Sequence, residues 1–158
     1  MADSPARIPF LDLVALHAPI QDQLDDAWRA VSRSGRFVLG PEVARFESSF
    51  ATYCGAAHGV GVGSGLDAIH LVLRAWELGP GDEVIVPANT YIATWLAVSL
   101  TGATPVPVDP RPTTANIDAD GVKAAITSRT RAVIPVHFYG QPADMDPLRD
   151  VAREHGLK

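Results

Sequence analysis

The polar and apolar positions of the chain follow two periods. Between Pro19 and Ser32, the residues Ile20, Leu24, Ala27, Trp28 and Val31 recur at helical spacing, and Ser34-Gly35 closes the run. A second helix is predicted from Pro41, whose ring suits a first turn, with Val43, Phe46, Phe50 and Tyr53 on one face and Gly55 as its stop. A third begins at Gly65 or Leu66, where Leu66, Ile69, Leu73 and Trp76 form a stripe widened by Ala68, Val72 and Ala75. Further helices are expected from Tyr91 to Leu100, from an Asp118 N-cap through Ile126, and from Asp146-Pro147 to Gly156 with Leu148, Val151 and Ala152 inward.

Short apolar runs separate these helices. Val60 and Val62 read as a brief buried strand, residues 83–87 as a second, and residues 131–138 as the most convincing after the first. Residues 104–109 form another, which Pro105 and Pro107 restrict to an edge or entry position. Pro5 and Pro9 break any helix in residues 1–11, which are expected to be an extended arm.

Strands alternating with helices predict the α/β class, with βαβ units, right-handed crossovers and a parallel sheet. Residues 1–158 are expected to be a single partial domain, with an arm and helices over 1–56 and the βα units over 57–158. The alternation asks for a further strand after Lys158, so the chain is expected to be the front part of a longer protein. Ligands of such a sheet lie beyond the C-terminal ends of its strands. That places residues 63–66, 88–91, 109–111 and 137–141 on one rim.

Composition narrows the chemistry. At 158 residues the chain is long enough to bury a real core. No apolar run is long enough to cross a bilayer, and the N-terminus lacks the apolar stretch of a signal peptide, so a cytoplasmic location and no membrane partner are expected. A net charge of -5 without a basic block argues against nucleic acid as a partner. Cys54 is the only cysteine, which excludes an internal disulfide and a cysteine-based metal cluster. His17, His58, His70, His137 and His155 form no short ligand pair, so no metal site is expected.

The stretch from His58 to Trp76 carries the strongest chemical signal. Gly63, Ser64 and Gly65 allow a tight turn and close approach of a ligand to the backbone. The helix that follows points unpaired N–H groups and the positive end of its dipole at that turn, which favours an anion such as a phosphate. The Ser64 hydroxyl adds a donor, or else it merely caps the helix.

Gly63-x-Gly65-x-x-Ala68 also fits the pattern of a dinucleotide site. Such a site wants an acidic residue at the C-terminal end of the next strand, where this chain has Val86-Pro87-Ala88. A P-loop is excluded because Gly-Lys-Ser/Thr is absent, and a hydrolase elbow because glycine stands directly against Ser64.

The runs from Val62 to Leu71, from Gly79 to Thr94, from Gly102 to Asp109, from Asn116 to Asp118 and from Ile134 to Asp146 resemble the DegT/DnrJ/StrS family of sugar aminotransferases. So do Ile8-Pro-Phe-Leu-Asp12 and Gly35-Arg-Phe-Val-Leu-Gly-Pro-Glu42, so that nearly the whole chain is matched in order. The resemblance implies the large domain of a fold-type I pyridoxal-phosphate transferase, cut short at its C-terminus. It implies pyridoxal 5'-phosphate as cofactor and transfer of an amino group, usually from glutamate, to a nucleotide-linked keto sugar.

Carried over, Gly63, Ser64, Gly65 and Leu66 hold the cofactor phosphate, and the ring of Tyr91 lies against the pyridine face. A core position for Tyr91 is the alternative. Asn89, His137, Tyr139 and Gln141 are weaker candidates for contacts to substrate or cofactor, since Asn89 equally suits a helix cap and His137 a satisfied core position.

The family's lysine, which carries the cofactor covalently, and its pyridinium-binding carboxylate lie further along than Lys158. Lys123 and Lys158 match neither, so no catalytic residue is assigned within these residues. The wording from Asn89 to Trp95 and from Pro105 to Asp109 resembles members that aminate C3 of dTDP-linked keto-deoxy sugars, and the family works as a homodimer. A non-catalytic phosphate-binding or dimerisation module is the alternative function.

Overall fold

The structure, a computed structural model, describes residues 8–158. It divides between Gly61 and Val62 into two compact units. Residues 1–7 of the expected arm lie outside the described residues, and residues 8–11 are non-helical.

The first unit is helical. Helix α1 (Leu13–His17) starts at Asp12, whose Oδ1 accepts the Ala15 N–H at 2.9 Å. The hydrophobic pattern does not reveal this helix, because one turn is too short to display a stripe. Pro19 lies in a 3-10 turn over Ala18–Ile20, so α2 (Gln21–Ser34) begins after that proline rather than at it. Gly35, at a φ of 65° that a side chain would disfavour, ends α2. Helix α3 (Pro41–Tyr53) runs between its expected limits, and Phe46, Phe50 and Tyr53 stack along an exposed face with successive centroids 5.4 and 6.3 Å apart.

The second unit runs α4 (Gly65–Ala75), β1 (Glu83–Pro87), α5 (Ile92–Ser99), β2 (Thr104–Val108), α6 (Ala119–Ala125), β3 (Thr130–Val133) and α7 (Met145–Glu154). Its strands form a parallel sheet in the order β2-β1-β3, so the α/β expectation holds. Val84 and Val86 pack with Leu73 of α4 and with Ala97 and Val98 of α5. Ile85 points the other way, among Val108, Ile117, Val122, Leu148 and Val151. Burial on both faces explains why β1 is continuously apolar instead of alternating.

The prolines of β2 suit its edge position. The Thr104 N–H donates to the Asp82 carbonyl and the Ala88 N–H to the Val108 carbonyl, so Thr104 and Val108 turn their hydrogen-bonding groups toward β1. Pro105 and Pro107, offset by one residue, leave their missing donors on the open side.

Helix placement then sets where a ligand can enter. From β1 the chain leaves to α5 on one face of the sheet, whereas β2 and β3 send it to α6 and α7 on the other. Adjacent parallel strands whose connections part in this way open a crevice beyond their C-terminal ends. The loop after β1, which carries Asn89 and Tyr91, lies at the centre of that rim.

Two expected strands require correction. Val60 and Val62 form no strand, and Val60 is 80% exposed. The Gly61 N–H is taken by Glu47 Oε1 at 2.6 Å rather than by a sheet partner. Gly59 lies so close to α3 that a Cβ there would stand 2.6 Å from the Glu47 carbonyl oxygen.

The strand expected over residues 131–138 ends at Val133, with one further ladder bond from the Ile134 N–H to the Ile85 carbonyl. Pro135 has no N–H to continue the ladder, and the Phe138 N–H goes to the side chain of Asn116. On its other side β3 exchanges main-chain hydrogen bonds with Lys158, at 2.9 and 3.0 Å.

A polar pin closes the opposite end of the sheet. Glu83, only 6% exposed, accepts from the Thr127 hydroxyl and from Arg129, whose Nε lies 2.9 Å from Oε1. The Thr127 hydrogen bond, reinforced by the Arg129 guanidinium, holds the Glu83 carboxyl below its ordinary pKa despite its burial. A depressed carboxylate contributes stability above its unfolded value of about 4.3 and loses it as pH falls through the folded value. Thermal melting of the full-length polypeptide is therefore expected to fall more steeply below pH 4.3 in the natural protein than in a Glu83→Gln variant. Equal slopes would remove Glu83 from the account of acid sensitivity.

Candidate functional site

Ser64 is the N-cap of α4: its Oγ accepts the Asp67 N–H at 3.1 Å and donates to Asp67 Oδ2 at 2.8 Å. The cap reading of Ser64 is thus realised, and its proton is engaged by Asp67. The Ser-x-x-Asp spacing, a signature of a reciprocal helix cap, was the available sequence signal for Asp67. A Cβ on Gly63 would stand 2.9 Å from Asp67 Oδ2, so the cap itself accounts for that glycine.

Gly65 differs. A Cβ there meets nothing within 4 Å, and the N–H groups of Gly65 and Leu66 make no hydrogen bond among the described residues. The first turn of α4 is therefore an open cup with two free donors at the positive end of an eleven-residue helix.

Across this cup stands Tyr91, the residue that precedes α5. Ser64, Gly65, Leu66 and Ile69 share a cavity of about 510 Å³ with Tyr91, Ile92, Ala93 and Leu96. The Tyr91 ring is 78% exposed, so the structure rejects the core alternative. An anion donor set at one end and a flat phenol ring beside it fit a phosphate-bearing aromatic group such as pyridoxal phosphate. Gly63 does not line the cavity, and its contribution is the turn.

The weaker candidates gather in a second part of the rim. Asn89 does not cap α5; its Nδ2 donates to the Ala115 carbonyl at 3.0 Å, while its Oδ1 is buried without a partner. His137 is exposed rather than core, and its Nδ1 accepts the Ala143 N–H at 3.0 Å. Gln141 offers its carbonyl to Asn116 Nδ2 at 3.0 Å, and Tyr139 is exposed. Gln141 also lines a cavity of about 420 Å³ with Arg111, Asn116, Asp118 and Asp144. There the Gly121 N–H, followed by Arg111, lowers the Asp118 pKa.

Asn116 makes the most connections in this region, and the sequence reading missed it as a site residue. Nothing local marks it, because the partners of its side chain lie on a different loop. Lys123, on α6, faces Glu154 at 3.9 Å.

A sequence profile of the DegT/DnrJ/EryC1/StrS aminotransferase family matches residues 19–158. The chain belongs to this family. Family membership and the missing strand at Val60–Val62 together overturn the dinucleotide alternative, because that fingerprint requires a strand leading into its glycine turn.

Among curated relatives, dTDP-3-amino-3,4,6-trideoxy-alpha-D-glucose transaminase of Streptomyces venezuelae is 56% identical over 156 residues, which cover 99% of this chain and 41% of that protein. The fold is also that of solved proteins. S. venezuelae DesV, in complex with a ketimine intermediate, superposes with a TM-score of 0.92 at 57% identity over 96% of this chain and 41% of that one. The ntda structure of Bacillus subtilis with bound cofactor PMP gives a TM-score of 0.88 at 37% identity over 99% of this chain and 36% of that one. The chain thus spans about two fifths of the length of the relatives it matches. Among the described residues, no helix is long and apolar enough to cross a membrane.

Proposed function

We propose that these residues supply the phosphate cup and ring platform of a pyridoxal-phosphate-dependent sugar-nucleotide aminotransferase. The cavity that joins the free N–H groups of Gly65 and Leu66 to the exposed Tyr91 ring carries this reading. The bound cofactor would supply an electron sink for moving an amino group. Within this chain, the Gly65 and Leu66 N–H groups at the α4 N-terminus would hold the phosphate with Ser64 beside them, and Tyr91 would fix the ring plane. The residue that carries the cofactor covalently is assigned to a part of the protein outside these residues, since Lys123 does not line the cavity shared by Gly65, Leu66 and Tyr91.

The proposed substrate is a dTDP-linked 3-keto-6-deoxyhexose, supported by the similarity to the Streptomyces venezuelae transaminase, and glutamate is the amino donor expected from the family resemblance. A cytoplasmic homodimer is part of the same proposal. The exposed stacked face of Phe46, Phe50 and Tyr53 is the kind of apolar surface that a second subunit covers.

The full-length polypeptide, dialysed against pyridoxal phosphate, is expected to retain a visible cofactor band. With glutamate it is expected to convert dTDP-linked 3-keto sugar to the amino sugar detected by mass spectrometry. A colourless protein would overturn the cofactor reading. A loaded protein that aminates only C4 would overturn the choice of substrate, and one that transfers nothing would favour the non-catalytic binding module.

Tyr91→Ala is expected to weaken cofactor binding by about twofold to tenfold, because aromatic stacking is worth about 0.5–1.5 kcal/mol beyond buried area. Its melting temperature should stay unchanged, since the ring is exposed in the unloaded protein. Unchanged cofactor affinity in a titration followed by absorbance would remove Tyr91 from the site.

A further inference from the structure

Two side-chain amides tie the three rim loops together. Asn89, after β1, donates to the Ala115 carbonyl in the loop after β2. Asn116, 3% exposed, reaches from that loop to the one after β3: its Oδ1 accepts the Phe138 N–H at 3.1 Å and its Nδ2 donates to the Gln141 carbonyl at 3.0 Å.

The segment gripped between those two hydrogen bonds contains Tyr139, a non-glycine residue with a φ of 53°. Ala115, which receives the Asn89 bond, has a φ of 57°. Left-handed backbone at residues other than glycine persists where the surroundings impose it, and such residues gather at ligand sites. Here the Asn116 amide brackets Tyr139 together with the turn's own bonds, Gly140 N–H to the His137 carbonyl and Gln141 N–H to the Phe138 carbonyl, and Asn89 holds the Ala115 carbonyl. The gripped residue also carries a large ring that is 93% exposed, stabilised edge-on by Phe138 at 4.5 Å. An aromatic side chain held outward on a strained turn gains nothing for the core. It stands beyond β3, which neighbours β1, on the rim where their connections part to opposite faces.

We propose that Tyr139 is a substrate contact for the sugar-nucleotide, its ring receiving the apolar face of the hexose, and that Asn116 is the positioning residue that presents it. This inference rests on the aminotransferase reading above; it gives Tyr139, one of the weaker candidates of the sequence, a defined task and adds Asn116 as the residue that positions it. The Asn116 amide fixes both ends of the turn, so the phenol is in place before substrate arrives. Asn116→Ala frees the turn to relax to ordinary backbone and withdraw the ring. Asn116→Asp keeps the acceptor for the Phe138 N–H but sets a carboxylate oxygen against the Gln141 carbonyl, so it should not rescue.

The test uses the full-length, cofactor-loaded polypeptide with Asn116→Ala, Tyr139→Gly and the double variant. Glycine relieves the left-handed strain while removing the ring, so Tyr139→Gly is expected to fold at least as well as the natural protein. Each single variant is expected to raise KM for the dTDP-linked keto sugar about tenfold, with kcat and cofactor loading nearly unchanged. Each should also weaken binding of dTDP-glucose about tenfold by calorimetry. The double variant is expected to match Tyr139→Gly rather than multiply the two losses, since Asn116 acts through Tyr139.

Unchanged KM and dTDP-glucose affinity in Tyr139→Gly would overturn the substrate contact. Multiplied losses in the double variant, or an Asn116→Ala effect confined to melting temperature, would overturn the positioning role. Failure of the natural protein to load cofactor is a different result and refutes the underlying reading instead.

Discussion

Gly65→Val is expected to abolish cofactor loading of the full-length polypeptide while leaving its melting temperature unchanged or slightly raised. A Cβ at Gly65 meets nothing within 4 Å and the residue is not in the left-handed region, so the backbone accepts a side chain there. Valine is also a better helix former than glycine by a few tenths of a kcal/mol. A branched side chain at Gly65, however, adds bulk beside its own N–H and that of Leu66, the free donors at the start of α4, and is expected to hinder close approach of a phosphate.

Hydrogen bonds to a charged group contribute about 1.5–3 kcal/mol each. Losing both corresponds to about a hundredfold weaker binding or more. Gly65→Ala, which adds a single methyl, should fall between. Equilibrium dialysis and visible absorbance measure the loss, and thermal melting separates it from misfolding. A Gly65→Val protein that binds pyridoxal phosphate as tightly as the natural one would show that the α4 terminus is not the phosphate site.

The second large effect concerns the strand on which the rim hangs. Ile85→Ala is expected to cost about 3–4 kcal/mol in urea unfolding, within the range for emptying a buried isoleucine site. Ile85 is fully buried in β1, the middle strand, and packs among Val108, Ile117, Val122, Leu148 and Val151. Those neighbours come from separate elements, so the space left behind cannot close by the movement of one helix. Val60→Ala is the paired control. Were Val60 part of a buried strand, it would lose stability as a core residue does; its exposure predicts a change within about 0.5 kcal/mol. A large loss at Val60, or a small one at Ile85, contradicts the described packing.

The turn and open first helical turn proposed to hold the phosphate were legible in the sequence because their parts are neighbours along the chain. Gly63, Ser64 and Gly65 make the turn, the stripe from Leu66 makes the helix, and the helix makes the donors. Tyr91 required one further step, since its place on the rim follows from the strand that precedes it. Its exposure and its share in the same cavity as Ser64 are matters of packing between α4 and α5. Asn116 was illegible for the opposite reason: its two hydrogen bonds span 22 and 25 residues, and no spacing rule reaches that far.

What the sequence determined by itself was therefore local: the helical stripes, the doubly buried run of β1, the Asp118 cap whose Oδ1 accepts the Gly121 N–H, and the glycine turn ahead of α4. Each depends on residues within a turn or two of one another, and their propensities and periodicity already point to one answer. Only the tertiary structure decided which backbone N–H groups joined the sheet. The Gly61 N–H went to Glu47 and, past the break that Pro135 makes in the ladder, the Phe138 N–H went to Asn116, so neither joined the sheet. A backbone donor makes its bond with whichever acceptor the fold brings within reach, and distant side chains won that competition.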